Sequence, residues 1–246
     1  GKPLSGWLLT PELYVGVLFL CALPSTVQSS IAFTSIAGGN VPAAICAASA
    51  SNILGMFLTP ALVAVLFSAG GHVGVSLDMI WKILLQLFLP FVLGQVLQPF
   101  IGNWIRARKS LLAPVDRGSI LMVVYLAFSN AVIEGIWSKF STADLALVIG
   151  LDIVLLLVVL GITAFGSKLF GFSREDRIAA IFCGSKKSLA SGVPMAGVIF
   201  AGQSVGAIVL PLMLFHQIQL MVCAWLARWI VARKGDAGQE RVAAVN

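Results

Sequence analysis

The sequence predicts an all-α protein that crosses a membrane several times. Of its 246 residues, 59% are hydrophobic and 11% are charged, and the mean hydropathy is +1.00, far above the composition of a soluble domain. About 20 consecutive apolar residues suffice to cross a bilayer. Such stretches occur at residues 13–37, 41–67, 77–101, 118–137, 145–169, 178–200 and 205–230. Because the bilayer core offers no water to the backbone, continuous apolar runs of this length predict seven helical spans.

The basic residues between these spans predict the orientation of the chain. If each span crosses the membrane once, most of the basic residues lie on one side. These are Arg106, Arg108, Lys109, Arg117, Lys168, Arg174, Arg177, Arg228, Arg233, Lys234 and Arg241. Only Lys2, Lys82 and Lys139 lie on or toward the other side. The positive-inside rule therefore predicts an inner (plasma) membrane protein with a cytoplasmic C-terminus. The net charge of +6 is explained by this topology, and we expect a lipid bilayer rather than a nucleic acid as partner.

An internal repeat pairs a broken span with a tight turn and an uninterrupted span. The first copy consists of a polar stretch at residues 24–30 and an apolar stretch at residues 31–38, followed by Gly39-Asn40 at the start of a new helix. The second copy consists of residues 187–192 and 193–201, followed in the same way by Gly202-Gln203. The second broken span is five spans after the first and so runs in the opposite direction, which predicts an inverted repeat. Inverted halves that each contain a broken helix are typical of secondary transporters, with the binding site at the breaks.

The first break has the residue types of a binding site. Pro24 removes one backbone donor, and it is followed by the polar residues Ser25, Thr26, Gln28, Ser29 and Ser30. These side chains can replace lost backbone partners and face a cavity. The half-helix after the break presents free N–H groups that favour an anion, whereas the carbonyls before it favour a cation.

The second break places two lysines near the middle of a predicted span. It consists of Ser185, Lys186, Lys187 and Ser188. A charge inside a span costs on the order of 3 kcal/mol, so such residues are functional candidates by default. The alternative is that the lysines snorkel, or that this segment is a cytoplasmic loop. Since neighbouring helical residues diverge by about 100°, we expect one lysine to enter the crossing region, and Lys187, aligned with Pro24 in the repeat, is our choice.

Two further ionisable residues are candidates for charge compensation or proton transfer. Asp152 is interpreted either as the counter-charge of a lysine or as a helix-packing hydrogen bonder, and His216 either as a proton relay or as a neutral packed side chain. Asn52 is interpreted as an interhelical hydrogen-bonding residue. The sequence contains no paired carboxylates, metal motif or nucleophile with a base, so we predict no catalytic residues and no metal site.

Two stretches carry a family resemblance. Residues 22–44 (ALPSTVQSSIAFTSIAGGNVPAA) and 185–195 (SKKSLASGVPM) resemble the sodium/bile-acid symporter superfamily, and most closely its SBF-like branch. The resemblance covers nearly the whole chain. It implies ten spans, two crossing broken helices in a core domain, and a panel domain that moves against the core. On this scheme the chain supplies spans four to ten, and we expect three spans to precede it.

The resemblance implies a domain organisation for the chain. Residues 12–67 are expected to end the first inverted repeat, with its broken helix and the following helix. Residues 77–137 are expected to be panel-type helices. Residues 145–230 are expected to be core helices of the second repeat, including a broken helix at 178–200, and residues 231–246 a cytoplasmic tail.

The sodium sites implied by the resemblance are altered in this sequence. Their serine and asparagine fall near Ser29 and Ser30, but the hydroxyl ligands of the next helix fall on Ala44 and Ala48. The acidic ligand of the second broken helix is replaced by residues 185–187. An ammonium repels a cation that needs oxygen ligands, which argues against sodium coupling. We hypothesise that a lysine ammonium occupies the cation position, and that loss of its proton couples transport to protons.

The resemblance and the residues together favour secondary transport of an organic anion by alternating access, the solute being bile-acid-like, steroid-like or another acidic molecule. The alternative of a different class is a transport-inactive membrane regulator or partner subunit that retains the fold. An intramembrane enzyme is the least supported class. We expect no cofactor apart from a coupling proton or sodium ion, and no sequence feature specifies a homo-oligomer.

Overall fold

A computed structural model describes residues 9–68, 77–133, 135 and 139–243 of the chain. Within these residues the secondary structure is helical and contains no strand, which confirms the predicted all-α class. The helices are α1 (Pro11–Ala22), α2 (Gln28–Ile36), α3 (Val41–Ser68), α4 (Leu77–Ala107), α5 (Lys109–Ile133), α6 (Thr142–Leu169), α7 (Arg174–Gly184), α8 (Leu189–Ile199) and α9 (Val205–Ala243). The ends of the predicted regions 77–137 and 231–246 lie partly outside the described residues.

Three of the described helices are long and apolar enough to cross a membrane. They contain the segments Val41–Leu66, Thr142–Leu169 and Val205–Arg233, of 26, 28 and 29 residues. At a rise of about 1.5 Å per residue, each exceeds the roughly 30 Å of bilayer hydrocarbon. The predicted totals of seven spans here and ten in the whole family fold stay predictions, as do the inverted repeat and the assignment of core and panel domains.

Two short non-helical segments separate pairs of helices near the predicted breaks. α1 ends at Ala22 and α2 begins at Gln28, while α7 ends at Gly184 and α8 begins at Leu189. We call residues 24–27 the first interruption and residues 185–188 the second interruption. The turns that follow α2 and α8 each contain a glycine with positive φ, Gly38 at 69° and Gly202 at 84°. Glycine adopts this conformation without steric cost, so the two motifs that the sequence pairs also end in similar turns.

The described chain divides into two compact units. The first lies within Gly1–Leu23, Leu54–Leu147 and Leu189–Leu212, and the second within Pro24–Ile53, Val148–Ser188 and Met213–Asn246. In the first unit, α8 packs against α4 and α5. The rings of Phe19 and Phe200 meet edge to face, with centroids 5.4 Å apart. Thr59 Oγ1 donates to the Ala22 carbonyl at 2.8 Å, which provides a partner for the end of α1.

The second unit is built around the packing of α2 and the beginning of α3 against α7. One buried cluster contains Ala37, Ile178, Phe182, Cys223 and Ala227, with Phe33 packed against it. A second cluster joins two alanines of α3 to two residues of α7 and consists of Ala44, Ala48, Ala179 and Cys183. Small residues at these positions allow close approach of the helices, as is usual between spans in a membrane.

A polar contact fixes the start of α7 to the turn between α2 and α3. The Asn40 amide donates to Asp176 Oδ1 at 2.7 Å, and the Asn40 backbone N–H donates to the Glu175 carbonyl at 3.0 Å. Ser173 caps α7 by accepting from the Asp176 N–H at 3.1 Å. Hydrogen bonds from Ser173 and then Asn40 hold the pKa of the partly exposed Asp176 carboxyl below its usual value, because they favour the charged form.

The close approach of the two elements predicts a strict size limit at Gly39. A Cβ atom there would lie 2.5 Å from Ile178 Cγ2 and 2.9 Å from Ile178 Cβ, atoms that cannot move without shifting α7. We expect Gly39→Ala to lower the free energy of unfolding by about 1–3 kcal/mol, the usual cost of overpacking. The measurement is the thermal midpoint of the purified protein.

Gly150→Ala is the matched control. A Cβ at Gly150 meets nothing within 4 Å, and Ala is favoured over Gly inside a helix. Its midpoint should equal or exceed that of the wild type. Equal midpoints for the two variants would contradict the packing of α2 and α3 on α7.

Candidate functional site

The two interruptions lie together in the second unit and are hydrogen-bonded to each other. The Ser188 N–H donates to the Pro24 carbonyl at 2.9 Å. The Ser25 hydroxyl donates to the Cys183 carbonyl at 2.6 Å, and the Ser30 hydroxyl donates to the Phe182 carbonyl at 3.2 Å. Side chains of the first interruption and of α2 therefore pair with the carbonyls that end α7, as predicted for polar residues that replace lost backbone partners.

Two neighbouring residues of α3 hold the backbone of Ser25. The Ser25 N–H donates to Ser51 Oγ at 3.0 Å. The Asn52 amide donates to the Ser25 carbonyl at 2.6 Å and to the Ala48 carbonyl at 3.1 Å. The sequence analysis identified Asn52 as a hydrogen-bonding residue between helices but missed Ser51. The sequence feature that could have identified Ser51 is its position beside Asn52, since the two form a polar pair inside a mostly apolar helix.

The remaining hydroxyls of the first interruption bond locally. Thr26 Oγ1 and Ser29 Oγ lie 2.5 Å apart, and Thr26 Oγ1 also lies 3.3 Å from Ser30 Oγ. Thr26 and Ser30 are buried, whereas Gln28 is exposed. The buried polar group around the interruptions thus contains the predicted residues Pro24, Ser25, Thr26, Ser30 and Ser188, with Gln28 outside it.

Lys186 is the more deeply buried of the two lysines. Its side chain is 1% exposed, and among the described residues Nζ has no oxygen or nitrogen acceptor, although the Cys183 and Cys223 thiols lie close to it. The ammonium lies 3.9 Å from the centroid of the Phe33 ring, where the negative face of the ring attracts a cation. The sequence analysis chose Lys187 because it aligns with Pro24 in the repeat, whereas the structure buries Lys186 more deeply.

Lys187 is half-buried, and its backbone is held by a side chain of α9. The Lys187 N–H donates to Gln219 Oε1 at 2.8 Å, and Gln219 Nε2 donates to the Lys187 carbonyl at 2.9 Å. Gln219 Nε2 also lies 2.9 Å from His216 Nδ1. Because the two backbone bonds fix which end of the amide donates, His216 Nδ1 is the acceptor. His216, a predicted proton relay, is therefore connected to the second interruption through Gln219.

Two other predicted polar residues, Asp152 and Ser185, are buried. Asp152 is 1% exposed, and among the residues that the structure describes its carboxylate oxygens accept no hydrogen bond and make no ion pair with a lysine. The Ser185 hydroxyl has no oxygen or nitrogen partner in the same part of the chain, and the Cys223 thiol lies close to it. An ionised carboxylate at such a position is costly, which marks Asp152 as a candidate functional residue.

The hydroxyl ligands that the resemblance implies for the helix after the first break are absent from α3. Ala44 and Ala48 are fully buried and present methyl groups to Ala179 and Cys183. Within the described ranges, no group of three or more His, Cys, Asp or Glu side chains could hold a metal. The arrangement instead combines a buried ammonium, a set of hydroxyls and two amide side chains, which can hold an anion or accept and release a proton.

Comparison with known proteins decides the family. The model of the SBF-like CPA transporter family matches residues 2–232. The chain belongs to this family. Membership confirms the resemblance predicted from residues 22–44 and 185–195, and it identifies the protein as a multi-pass membrane transporter of a small solute rather than an enzyme.

Relatives in bacteria and animals are similar over most of the chain. A protein of Pseudomonas aeruginosa, itself uncharacterized, is 58% identical over 237 residues, which cover 96% of this chain and 71% of the relative. YfeH of Escherichia coli, named as a candidate symporter, is 53% identical over 227 residues, 92% of this chain and 67% of YfeH. Sodium/bile acid cotransporter 7 of Rattus norvegicus is 30% identical over 240 residues, 94% of this chain and 68% of the cotransporter.

The bond pattern around Lys187 predicts a structural requirement for Gln219, which is fully buried. Gln219→Leu would remove both hydrogen bonds that the Gln219 side chain makes to the Lys187 N–H and carbonyl. An unsatisfied buried group costs about 1–3 kcal/mol, so the variant should unfold at a clearly lower temperature and lose transport.

Gln217→Leu is the control for this change. Gln217 is exposed two positions away on the same helix, and its replacement should leave the thermal midpoint and transport near the wild-type values. A Gln219→Leu protein with unchanged stability would show that the second interruption does not depend on this pair of bonds.

Proposed function

We propose that the protein is a secondary active transporter of an organic anion, with the two interruptions as its binding site and alternating access as its mechanism. The solute class is bile-acid-like, steroid-like or another acidic molecule. The observation that carries the proposal is Lys186, a buried ammonium beside hydrogen-bonded non-helical segments. A buried cation without a counter-ion favours an anionic solute, because the solute carboxylate or sulfonate supplies the missing charge.

The same lysine supports a coupling mechanism that does not use sodium. The Phe182 and Cys183 carbonyls, which end α7 and favour a cation, already accept hydroxyl donors from Ser30 and Ser25. Ala44 and Ala48 offer no oxygen ligand. The Lys186 ammonium takes the place of the metal ion as the positive charge, and a buried ammonium that loses its proton couples solute movement to protons. Asp152 and His216 are the candidate proton donors and acceptors in this scheme.

The arginine distribution supports a topology for the transporter. Arg174 and Arg177 lie at the start of α7, and Arg233 ends the apolar segment Val205–Arg233 of α9. All three are on the side that the positive-inside rule assigns to the cytoplasm. The proposal therefore places the protein in the inner membrane with its C-terminus in the cytoplasm. On this topology the turn between α6 and α7 is cytoplasmic.

One observation favours a second candidate function. Ala44 and Ala48 stand where the resemblance implies hydroxyl ligands for sodium, and a protein that does not transport has no need of those ligands. A transport-inactive regulator or partner subunit that retains the fold is consistent with this. The experiment below separates the two candidates by solute response.

The test compares Lys186→Met with Lys187→Met in the full-length protein. Thermal midpoints are measured in sodium and in potassium, and with taurocholate as the probe anion, over a series of pH values. A ligand at one hundred times its Kd stabilises the folded state by about 2.7 kcal/mol. We expect taurocholate, but not sodium, to raise the wild-type midpoint, and Lys186→Met to abolish this rise while Lys187→Met retains most of it.

Uptake of labelled taurocholate into proteoliposomes with an imposed pH gradient completes the test. Transport should follow the gradient in the wild type and not in Lys186→Met. A rise in midpoint specific to sodium would show a conventional symporter and contradict the role of Lys186. A protein that responds to neither taurocholate nor other organic anions, and gives no uptake, would favour the regulator.

A further inference from the structure

A large apolar cleft lies in the second unit, away from the interruptions. Its volume is about 800 Å³, and it is formed by α6, the first half of α7 and the C-terminal part of α9. The walls include Leu157, Gly161, Ile178, Trp225 and Leu226. None of the residues placed above in the transport site lines it. Its volume lies within the range of about 300–1,000 Å³ found for ligand pockets.

Three arginines line the same cleft. Arg174 and Arg177 lie one turn apart at the start of α7, and Arg233 lies on α9. The Arg233 guanidinium is 4.1 Å from the centroid of the Trp229 ring, which holds it in place by a cation–π contact. Among the described residues, none of the three forms an ion pair. Glu175 and Asp176 are neighbours on α7 but do not line the cleft.

The positions of these residues match the two chemical parts of a phospholipid. Arg233 is the last residue of the membrane-spanning segment Val205–Arg233, at the depth where headgroups and interfacial tryptophans lie. The apolar walls belong to the spanning parts of α6 and α9, at the depth of acyl chains. Basic pockets between spanning helices bind anionic headgroups, and arginine forms bidentate bonds with phosphate.

We propose that this cleft binds an anionic phospholipid, with an acyl chain against Leu157, Gly161 and Trp225 and the phosphate on Arg174, Arg177 and Arg233. The proposal commits to a membrane lipid rather than a soluble anion, because every residue that lines the cleft is apolar apart from the three arginines. A free phosphate would use the arginines and leave the apolar walls uncovered. The site is independent of the transport mechanism proposed above.

The headgroup contacts are tested by native mass spectrometry of the full-length protein titrated with phosphatidylglycerol or phosphatidylcholine. The wild type should prefer phosphatidylglycerol. Replacing all three arginines by glutamine should weaken phosphatidylglycerol binding by about two orders of magnitude, since one arginine near a membrane surface contributes on the order of fivefold. Arg228→Gln is the control, because Arg228 is exposed on α9 and does not line the cleft.

The acyl contacts are tested by filling the cleft. A Cβ atom at Gly161 would meet nothing within 4 Å, so we expect the side chain of Gly161→Leu to extend into the cleft. It should reduce the binding of both lipids, whereas Gly150→Leu, also unobstructed on α6 but outside the cleft, should not. This variant and the single change Arg233→Gln keep the test decisive if the triple variant fails to fold.

Three outcomes would overturn the proposal. The first is equal affinity of the wild type for the two lipids. The second is competition by inorganic phosphate at the concentration of the lipid together with no effect of Gly161→Leu, which would identify a site for free anions. The third is crosslinking of a photoreactive residue at position 225 to protein rather than to phosphatidylglycerol in vesicles, which would identify the cleft as a protein interface.

Discussion

The pairing of buried backbone groups at the two interruptions is the constraint on which the second unit depends. A helix that stops inside a membrane leaves carbonyl and N–H groups that water cannot reach. Here the Pro24, Ser25, Phe182 and Cys183 carbonyls accept from Ser188, Asn52, Ser30 and Ser25 respectively. Each of these bonds joins groups that are distant in sequence. The non-helical segments are therefore stable only when α2, α3 and α7 are all in place.

The need to pair these backbone groups explains the distribution of polar side chains in the site. They surround the backbone of the interruptions, whereas the Lys186 ammonium has mainly apolar neighbours. The hydroxyls and amides near Ser25 are used to satisfy the backbone, whereas Lys186 extends among Phe33, Phe182 and their neighbours. A charge in such surroundings costs free energy unless a partner arrives. The arrangement therefore holds a functional group in an unfavourable environment, and the rigid hydrogen-bonded frame around it supplies the stability that keeps it there.

Family membership and geometry contribute different parts of this account. The match over residues 2–232 establishes a transporter, whereas the proposal that coupling does not use sodium rests on the residues of this chain. Alanines where hydroxyl ligands are implied, and lysines where a carboxylate is implied, support the proposal of a site that attracts an anion rather than a metal cation. The arginine-lined cleft also combines positive charge with apolar surroundings. Its apolar walls are compatible with acyl chains, and its arginines are compatible with anionic headgroups.

Much of the fold was predictable because the bilayer imposes a simple rule on sequence. Apolar runs longer than about 20 residues must become helices, and Pro24 and the polar residues after it predicted a helix end within two residues of the observed limit at Ala22. The motif around residues 24–30 and 185–188 also predicted which residues lie together. This group contains Pro24, Ser25, Ser30 and Ser188. They lie together because the backbone groups exposed at a break in a spanning helix need polar partners nearby.

The sequence alone determined the helical class, the family, and the residues at the two interruptions, since these follow from hydropathy and from local motifs. Only the tertiary structure decided which lysine is buried, because residues 185–188 are not helical and the helical rotation of about 100° per residue does not apply to them. It also decided the roles of Ser51 and Gln219, whose bonds to Ser25 and Lys187 span 26 and 32 residues. Pairing over such separations depends on how the helices pack, and no local pattern in the sequence specifies it.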